Sequence, residues 1–161
     1  MAEYKANDNI IIENAQIIWK NFSGEESQYN RAGKRTFCVI IEDPEDARRL
    51  SEAGWNVKVK QPRDEDEDVR HYIQVETSYR NFPPHVYMFT RRKKTLLTEE
   101  TSGCLDHMRF KNADIVIRPY NWDVNGKVGV KAYLKELYVT VEEDYFADKY
   151  AMEEYPGETP F

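Results

Sequence analysis

From Ile10 onward the apolar positions fall in short runs separated by polar, Gly- and Pro-containing stretches, the punctuation of a β-rich chain. Ile10 to Phe22 (IIIENAQIIWKNF) reads as one long strand, apolar at both ends and polar at Glu13-Asn14. Such a middle predicts a bend, as in a strand that serves two sheets of a small barrel. Ser23 to Lys34 is a loop that presents Tyr29 and Arg31. Arg35 to Glu42 (RTFCVIIE) is a second strand, with Phe37, Val39 and Ile41 on one face. A helix follows: Asp43 caps it, Pro44 suits its first position, and Glu45 and Asp46 complement its dipole. It ends at Gly54, with Ala47, Leu50 and Ala53 as its apolar stripe.

Trp55 to Lys60 alternates strictly, setting Trp55, Val57 and Val59 against Asn56, Lys58 and Lys60. The acidic stretch Asp64 to Asp68 reads as a solvated loop rather than a metal site. His71 to Tyr79 is a strand with Ile73 and Val75 inward, and Phe82-Pro83-Pro84 stiffens the way into another at Val86 to Thr90. Thr98 to Met108 reads as a short helix capped by Thr98, weakened by Gly103. Ala113 to Tyr120 is a strand, and Asn125-Gly126 signals a type I′ hairpin turn. Its partner, Lys127 to Val141, turns Val128, Val130, Ala132 and Leu134 one way, then changes phase to Leu137, Val139 and Val141, as a β-bulge would require. The sum is a mainly β fold with some seven strands. An OB-like five-stranded-type barrel with additional strands and one or two short helices fits best, and a β-sandwich stays open.

Charge separates the end of the chain from the rest. The protein has 29 acidic and 23 basic side chains; residues 142–161 hold seven acids and one lysine, so residues 1–141 hold 22 of each. We therefore divide the chain into a neutral domain, 1–141, and an acidic tail, 142–161, whose composition predicts disorder. Five aromatics punctuate the tail, which closes on Pro160-Phe161. A ring and a carboxylate behind a run of acids suit capture by a basic-rimmed apolar pocket. Cys38 and Cys104 make no disulfide framework, and His71, His85 and His107 show no zinc-ligand spacing with them. No phosphate loop, HExxH or GxSxG motif is present, and Cys104 with His107 lacks an orienting third group. The sequence thus implies neither an enzyme nor a cofactor or metal. The absence of an apolar leader or a membrane-length run implies a cytoplasmic protein.

Eleven tyrosines, together with basic residues on the polar faces of strands, point to single-stranded nucleic acid, which needs cations for phosphates and open rings for bases. Candidate phosphate contacts are Arg31, Lys34, Lys58, Lys60, Arg80, Arg118, Lys127, Lys131 and the run Arg91, Arg92, Lys93 and Lys94, which otherwise is a solvated hairpin tip. Candidate stacking residues are Tyr79, Phe82, Tyr120, Trp122 and Tyr133. A further knot joins Trp19 and Phe22 to Arg31, Lys34 and Arg35. Core packing is the competing role of every aromatic, and Trp19, Phe37 and Trp55 are the expected core members.

The segments NIIIENAQIIWKNFSG, FCVIIED, GWNVK and NWDVNGKVGVKAYLKELYV resemble phage and prophage OB-fold single-stranded DNA-binding proteins over about residues 9–141. The ending resembles the acidic, Pro-Phe-terminated tip of bacterial single-stranded DNA-binding proteins. The resemblance implies a protein that coats exposed strands in replication or recombination and recruits replication or recombination proteins through Pro160 and Phe161. A rival class is an interaction module whose acidic tail imitates DNA to occupy a host nuclease or polymerase. The sequence leaves self-association and the choice between DNA and RNA open.

Overall fold

The computed structural model of the protein describes residues 8–143, except residues 29, 63, 65–67, 81 and 92. Its framework is a ring of strands. β1 (Ile10–Ile12) pairs antiparallel with β8 (Phe110–Val124), and β2 (Ile17–Asn21) pairs antiparallel with β3 (Arg35–Ile41). β3 pairs with β5 (Arg70–Thr77), β5 runs parallel to β9 (Lys127–Val141), and β9 returns antiparallel to β8. The first strand closes the ring by being split. Between its halves Asn14 takes a left-handed φ of 50°, Ala15 N donates to Ala113 O at 2.7 Å, and Ile40 N donates to Gln16 O at 3.0 Å. The polar Glu13-Asn14 middle is therefore the bend expected of a strand shared by two sides of a barrel. The fold is the mainly β, OB-like barrel read from the sequence.

Additional strands extend the ring. β4 (Val57–Lys60) pairs with the first half of β5; β6 (His85–Phe89) runs parallel to the second half of β9, and β7 (Lys94–Leu97) hairpins onto β6. The helix α1 (Pro44–Glu52) begins as expected, with Asp43 Oδ1 accepting from Glu45 N at 2.9 Å and Ala47 buried beneath it. The chain then turns so that Gly54 O accepts from Val130 N at 3.1 Å, which docks the buried Trp55 against β9.

Inside the ring lie Phe37, Val39 and Ile41, Ile73 and Val75, Ala113, Ile115 and Ile117, and from β9 Val130, Ala132, Leu134, Leu137, Val139 and Val141. The change of phase on β9 is a bulge: Val116 pairs with Glu136 but Ile117 with Leu134, so Lys135 has no opposite number. Asn125 (φ 53°) and Gly126 (φ 82°) make the expected turn.

Several expectations change. β8 is longer than Ala113 to Tyr120, because its pairing with β9 runs unbroken to Val124–Lys127 and carries the hairpin past the barrel as an arm. Val128 lies on that arm with no core to enter and is exposed, as is Val59 at the end of β4. The helix expected at Thr98 to Met108 is a turn followed by a 3₁₀ helix, Ser102–His107, with Thr101 at its N-cap position. Phe22 is core, stacked on Phe37 at 5.0 Å. Trp19 is the reverse case, 56% exposed.

The 3₁₀ helix closes one end of the barrel over Leu105, and two polar groups hold it there. Lys20 Nζ donates to Leu105 O at 3.0 Å and to Met108 O, and burial lowers its pKa against the opposing pull of Asp106. Asp106 accepts from Phe22 N at 2.6 Å, from Ser23 N at 3.0 Å and from Ser23 Oγ at 2.7 Å. Truncating this carboxylate leaves two backbone donors without it. Asp106→Ala is expected to lower stability by about 1–3 kcal/mol in denaturant unfolding.

Candidate nucleic-acid interface

Alternation along the strands turns one set of side chains out of the barrel, and pairing sets these side by side. On the β8–β9 arm the pairs Arg118–Tyr133, Tyr120–Lys131, Trp122–Gly129 and Val124–Lys127 share a face. The next strand adds to it, since Tyr133 pairs with Glu76 of β5, and Glu76 with Thr36 of β3. Six of the sequence candidates, Arg118, Tyr120, Trp122, Lys127, Lys131 and Tyr133, therefore stand on one surface.

Their contacts alternate ring and cation. The Arg118 guanidinium lies 5.0 Å from the centre of the Phe82 ring and 5.1 Å from that of Tyr133. Lys131 Nζ lies 5.1 Å from the centre of the Tyr133 ring, and Tyr120 meets Tyr133 edge-on at 6.0 Å. Each such contact contributes on the order of 0.5–1 kcal/mol at an exposed site. Their larger effect is to hold long side chains in place. Phe82 itself is open to solvent, carried there by the connection between β5 and β6.

A cleft of about 540 Å³ runs beside this row, lined by Lys34, Thr36, Gln74, Glu76, Trp122 and Lys131 among others. Gly129 makes room for its indole wall. A Cβ at Gly129 would stand 2.6 Å from Trp122 Cζ2 and 2.8 Å from Cε2, so the ring lies against bare backbone. One acid interrupts the cations: Glu76 Oε1 is 2.9 Å from Lys131 Nζ. Partial burial pulls the Lys131 pKa down, but the bonds to Glu76 and Tyr133 outweigh it and leave the ammonium above its ordinary value.

The face continues across β5 and β4. Lys58 Nζ reaches Gln74 Oε1 at 3.4 Å, and Lys58 pairs with Tyr72, whose ring meets Trp19 edge-on at 5.1 Å. Cys38 lies beneath; burial pushes its thiol up to about 11 despite the Lys58 charge. The sequence reading set Trp19 both in a basic–aromatic knot and among the expected core members, and did not name Tyr72; strict alternation sends Trp19 inward with Ile17, and the structure leaves it exposed.

Other candidates stand apart. Arg31 is exposed on the β2–β3 loop near Lys34, and Arg80 is exposed beside Phe82 in the chain. Lys60 sits at the far end of β4 near Asp68 and Arg70. Tyr79 is half-buried under Arg35, with its hydroxyl beside Ser102 and its pKa pushed up by burial. Arg91 and Lys93 occupy the β6–β7 turn, where Thr90 N donates to Lys93 O at 2.9 Å, and Lys94 opens β7. This tip lies at the opposite end of β9 from the arm. Arg91 there meets the Glu143 carboxylate, and Lys94 Nζ sits 4.4 Å over Tyr87, which stacks on Tyr138. Arg92, Pro160 and Phe161, with residues 144–161 of the tail, lie outside the described residues. Among the described residues no group of three His, Cys, Asp or Glu converges on a metal-sized site.

The chain is similar to proteins of known description. A family profile described as "Putative phage ssDNA-binding domain" matches residues 1–157. No curated protein matches. Among solved structures, the single-stranded DNA-binding protein from bacteriophage Enc34 superposes with a TM-score of 0.54 at 11% identity, over 88% of this chain and 89% of that one. The same Enc34 protein in complex with ssDNA gives a TM-score of 0.52 at 14% identity, over 84% and 88% of the two chains. At these identities the likeness establishes the shared fold.

The fit of Trp122 over Gly129 is open to direct test. Gly129→Val is expected to fold normally, since valine suits a strand, and to lift the indole into solvent. The readout is a shift of Trp122 emission to longer wavelength, taken in a background with Trp19 and Trp55 replaced by phenylalanine.

Proposed function

The chain belongs to the phage ssDNA-binding domain family, and from that premise we propose that it coats single-stranded DNA without reading its sequence, protecting exposed strands during phage DNA replication and recombination. The observation that carries the reading is the row Phe82–Arg118–Tyr133–Lys131, in which rings and cations alternate within 5.1 Å of one another beside an indole-walled cleft. A strand laid along such a row meets flat faces for its bases and fixed charges for its phosphates in the same passage. The Enc34 protein's capture with ssDNA on a similar fold supports the same use here.

In this reading Lys34, Lys58, Arg118, Lys127 and Lys131 hold phosphates. Arg31, Lys60, Arg80 and the Arg91–Lys94 tip draw the strand in from further away. Phe82, Tyr120, Trp122 and Tyr133 take bases, with Tyr79 at the margin. The protein acts by binding rather than catalysis, in the cytoplasm of the host cell. A body with equal numbers of acids and bases does not oppose this, because the interface gathers its cations locally. We assign residues 1–141 to strand binding and the acidic segment 142–161, with Pro160 and Phe161, to recruitment of replication or recombination proteins.

Two experiments test the division. Titration with oligo-dT should show saturable binding that weakens as salt rises. Lys131→Ala should bind about fivefold to tenfold more weakly and lose about 0.7 from the log–log salt slope, whereas Glu76→Gln should bind more tightly by freeing Lys131. Binding that is absent or indifferent to salt in the parent would favour the interaction-module class instead. Removal of residues 144–161 should leave oligo-dT affinity equal or higher and abolish capture of host or phage replication proteins; loss of DNA binding on truncation would contradict the assignment.

A further inference from the structure

Three described non-glycine residues adopt positive φ: Asn14, Asn125 and Trp19. For the asparagines this is ordinary, since a short amide side chain tolerates the left-handed region in bends and turns. For a tryptophan in a strand it is not. Trp19, at φ 51°, sits where β2 slips its register against β3: Ile18 pairs with Cys38 and Asn21 with Thr36, so Trp19 and Lys20 together oppose Phe37. This is a β-bulge whose left-handed position is usually glycine.

The bulge decides where each of the two side chains goes. Lys20 takes the end of the barrel, where it holds the 3₁₀ helix through Leu105 O and Met108 O. Trp19 is turned outward, 56% exposed, and is fixed edge-on against Tyr72 at 5.1 Å and 86°. Tyr72 pairs with Lys58, and Lys58 bonds Gln74, which lines the Trp122 cleft. An open indole, a tyrosine set edge-on against it and a lysine paired with that tyrosine thus repeat the ring-and-cation chemistry of the arm, at the other edge of the same surface. The strand order β2–β3–β5–β9–β8 separates the two ends by four strand spacings, about 19 Å if laid flat.

We propose that Trp19, oriented by Tyr72 and served by Lys58, is a second base-stacking station for single-stranded DNA, and that the strained backbone at residue 19 is kept because it presents this ring. The inference rests on the strand-binding reading above and adds the far end of the path to it. A nucleic acid that reaches both stations crosses the barrel from arm to bulge instead of following the arm alone.

The test separates ring from strain. In the full-length chain, Trp19→Gly removes the indole and supplies the residue that the bulge geometry favours. Affinity is measured by anisotropy of a labelled oligo-dT longer than the ~16 nucleotides an OB fold covers. The variant is expected to melt no lower than the parent and to bind roughly 5- to 100-fold more weakly, with Trp19→Phe recovering most of the loss. Equal affinity of parent and Trp19→Gly would overturn the station while leaving the strand-binding reading intact. A parent that fails to bind oligo-dT overturns the reading and the station with it. A Trp19→Gly protein that melts below the parent would show that the indole serves the fold, which also overturns the proposal.

Discussion

Closure of the barrel by a single divided strand is the constraint on which the rest of this structure depends. β1 can pair with β8 and β2 with β3 only if the chain changes direction between them, and the left-handed Asn14 with the flanking bonds of Ala15 and Gln16 provides that change. Once the ring is closed, its strands turn alternate side chains toward the core and away from it, although β3 is buried on both faces over most of its length. The outward faces of β3, β5, β8 and β9 then become neighbours, although their residues are far apart in the chain. A hydrophobic interior and the proposed interface are two consequences of the same alternation.

Much of this was legible in the sequence. The polar interruption at Glu13-Asn14 announced the bend, the change of phase after Leu134 announced the bulge at Lys135, and Asn125-Gly126 announced the turn. These are local signals, and local geometry answers to them. Arg118 with Tyr120 and Trp122, and Lys131 with Tyr133, were each legible on their strands for the same reason, and the β8–β9 register joins the two groups on one face. Phe82 over Arg118 was not, because the connection that carries it is positioned by tertiary packing. The pairing of Tyr87 with Tyr138 was hidden for a related reason: it depends on β6 choosing β9 as a parallel partner. Trp19 was misread because period-two reasoning assumes an unbroken ladder, and the bulge reverses the phase from that residue onward, which also sends Phe22 into the core.

The interface also contains its own opposition. Glu76 holds Lys131 at 2.9 Å, so an arriving anion must compete with a carboxylate already in place. The contact holds the ammonium extended and fixed in direction beside the Tyr133 ring. At the other end of β9 the Arg91–Glu143 contact places the first residues of the acidic segment beside the basic turn.

The divided first strand also sets the order in which the molecule can assemble. Asn14 N donates to the Asp114 carboxylate across 100 residues of sequence, and among the described residues β1 pairs in the ring with β8 alone. During synthesis β2 and β3 can meet early, while β1 must wait until β8 has left the ribosome. A chain whose ring is fastened by its most distant pair folds slowly for its size, because the cost of closing that loop comes before the contacts that reward it. Until then Ile10, Ile11 and Ile12 form an unpaired apolar edge, the segment of the nascent protein most in need of shelter.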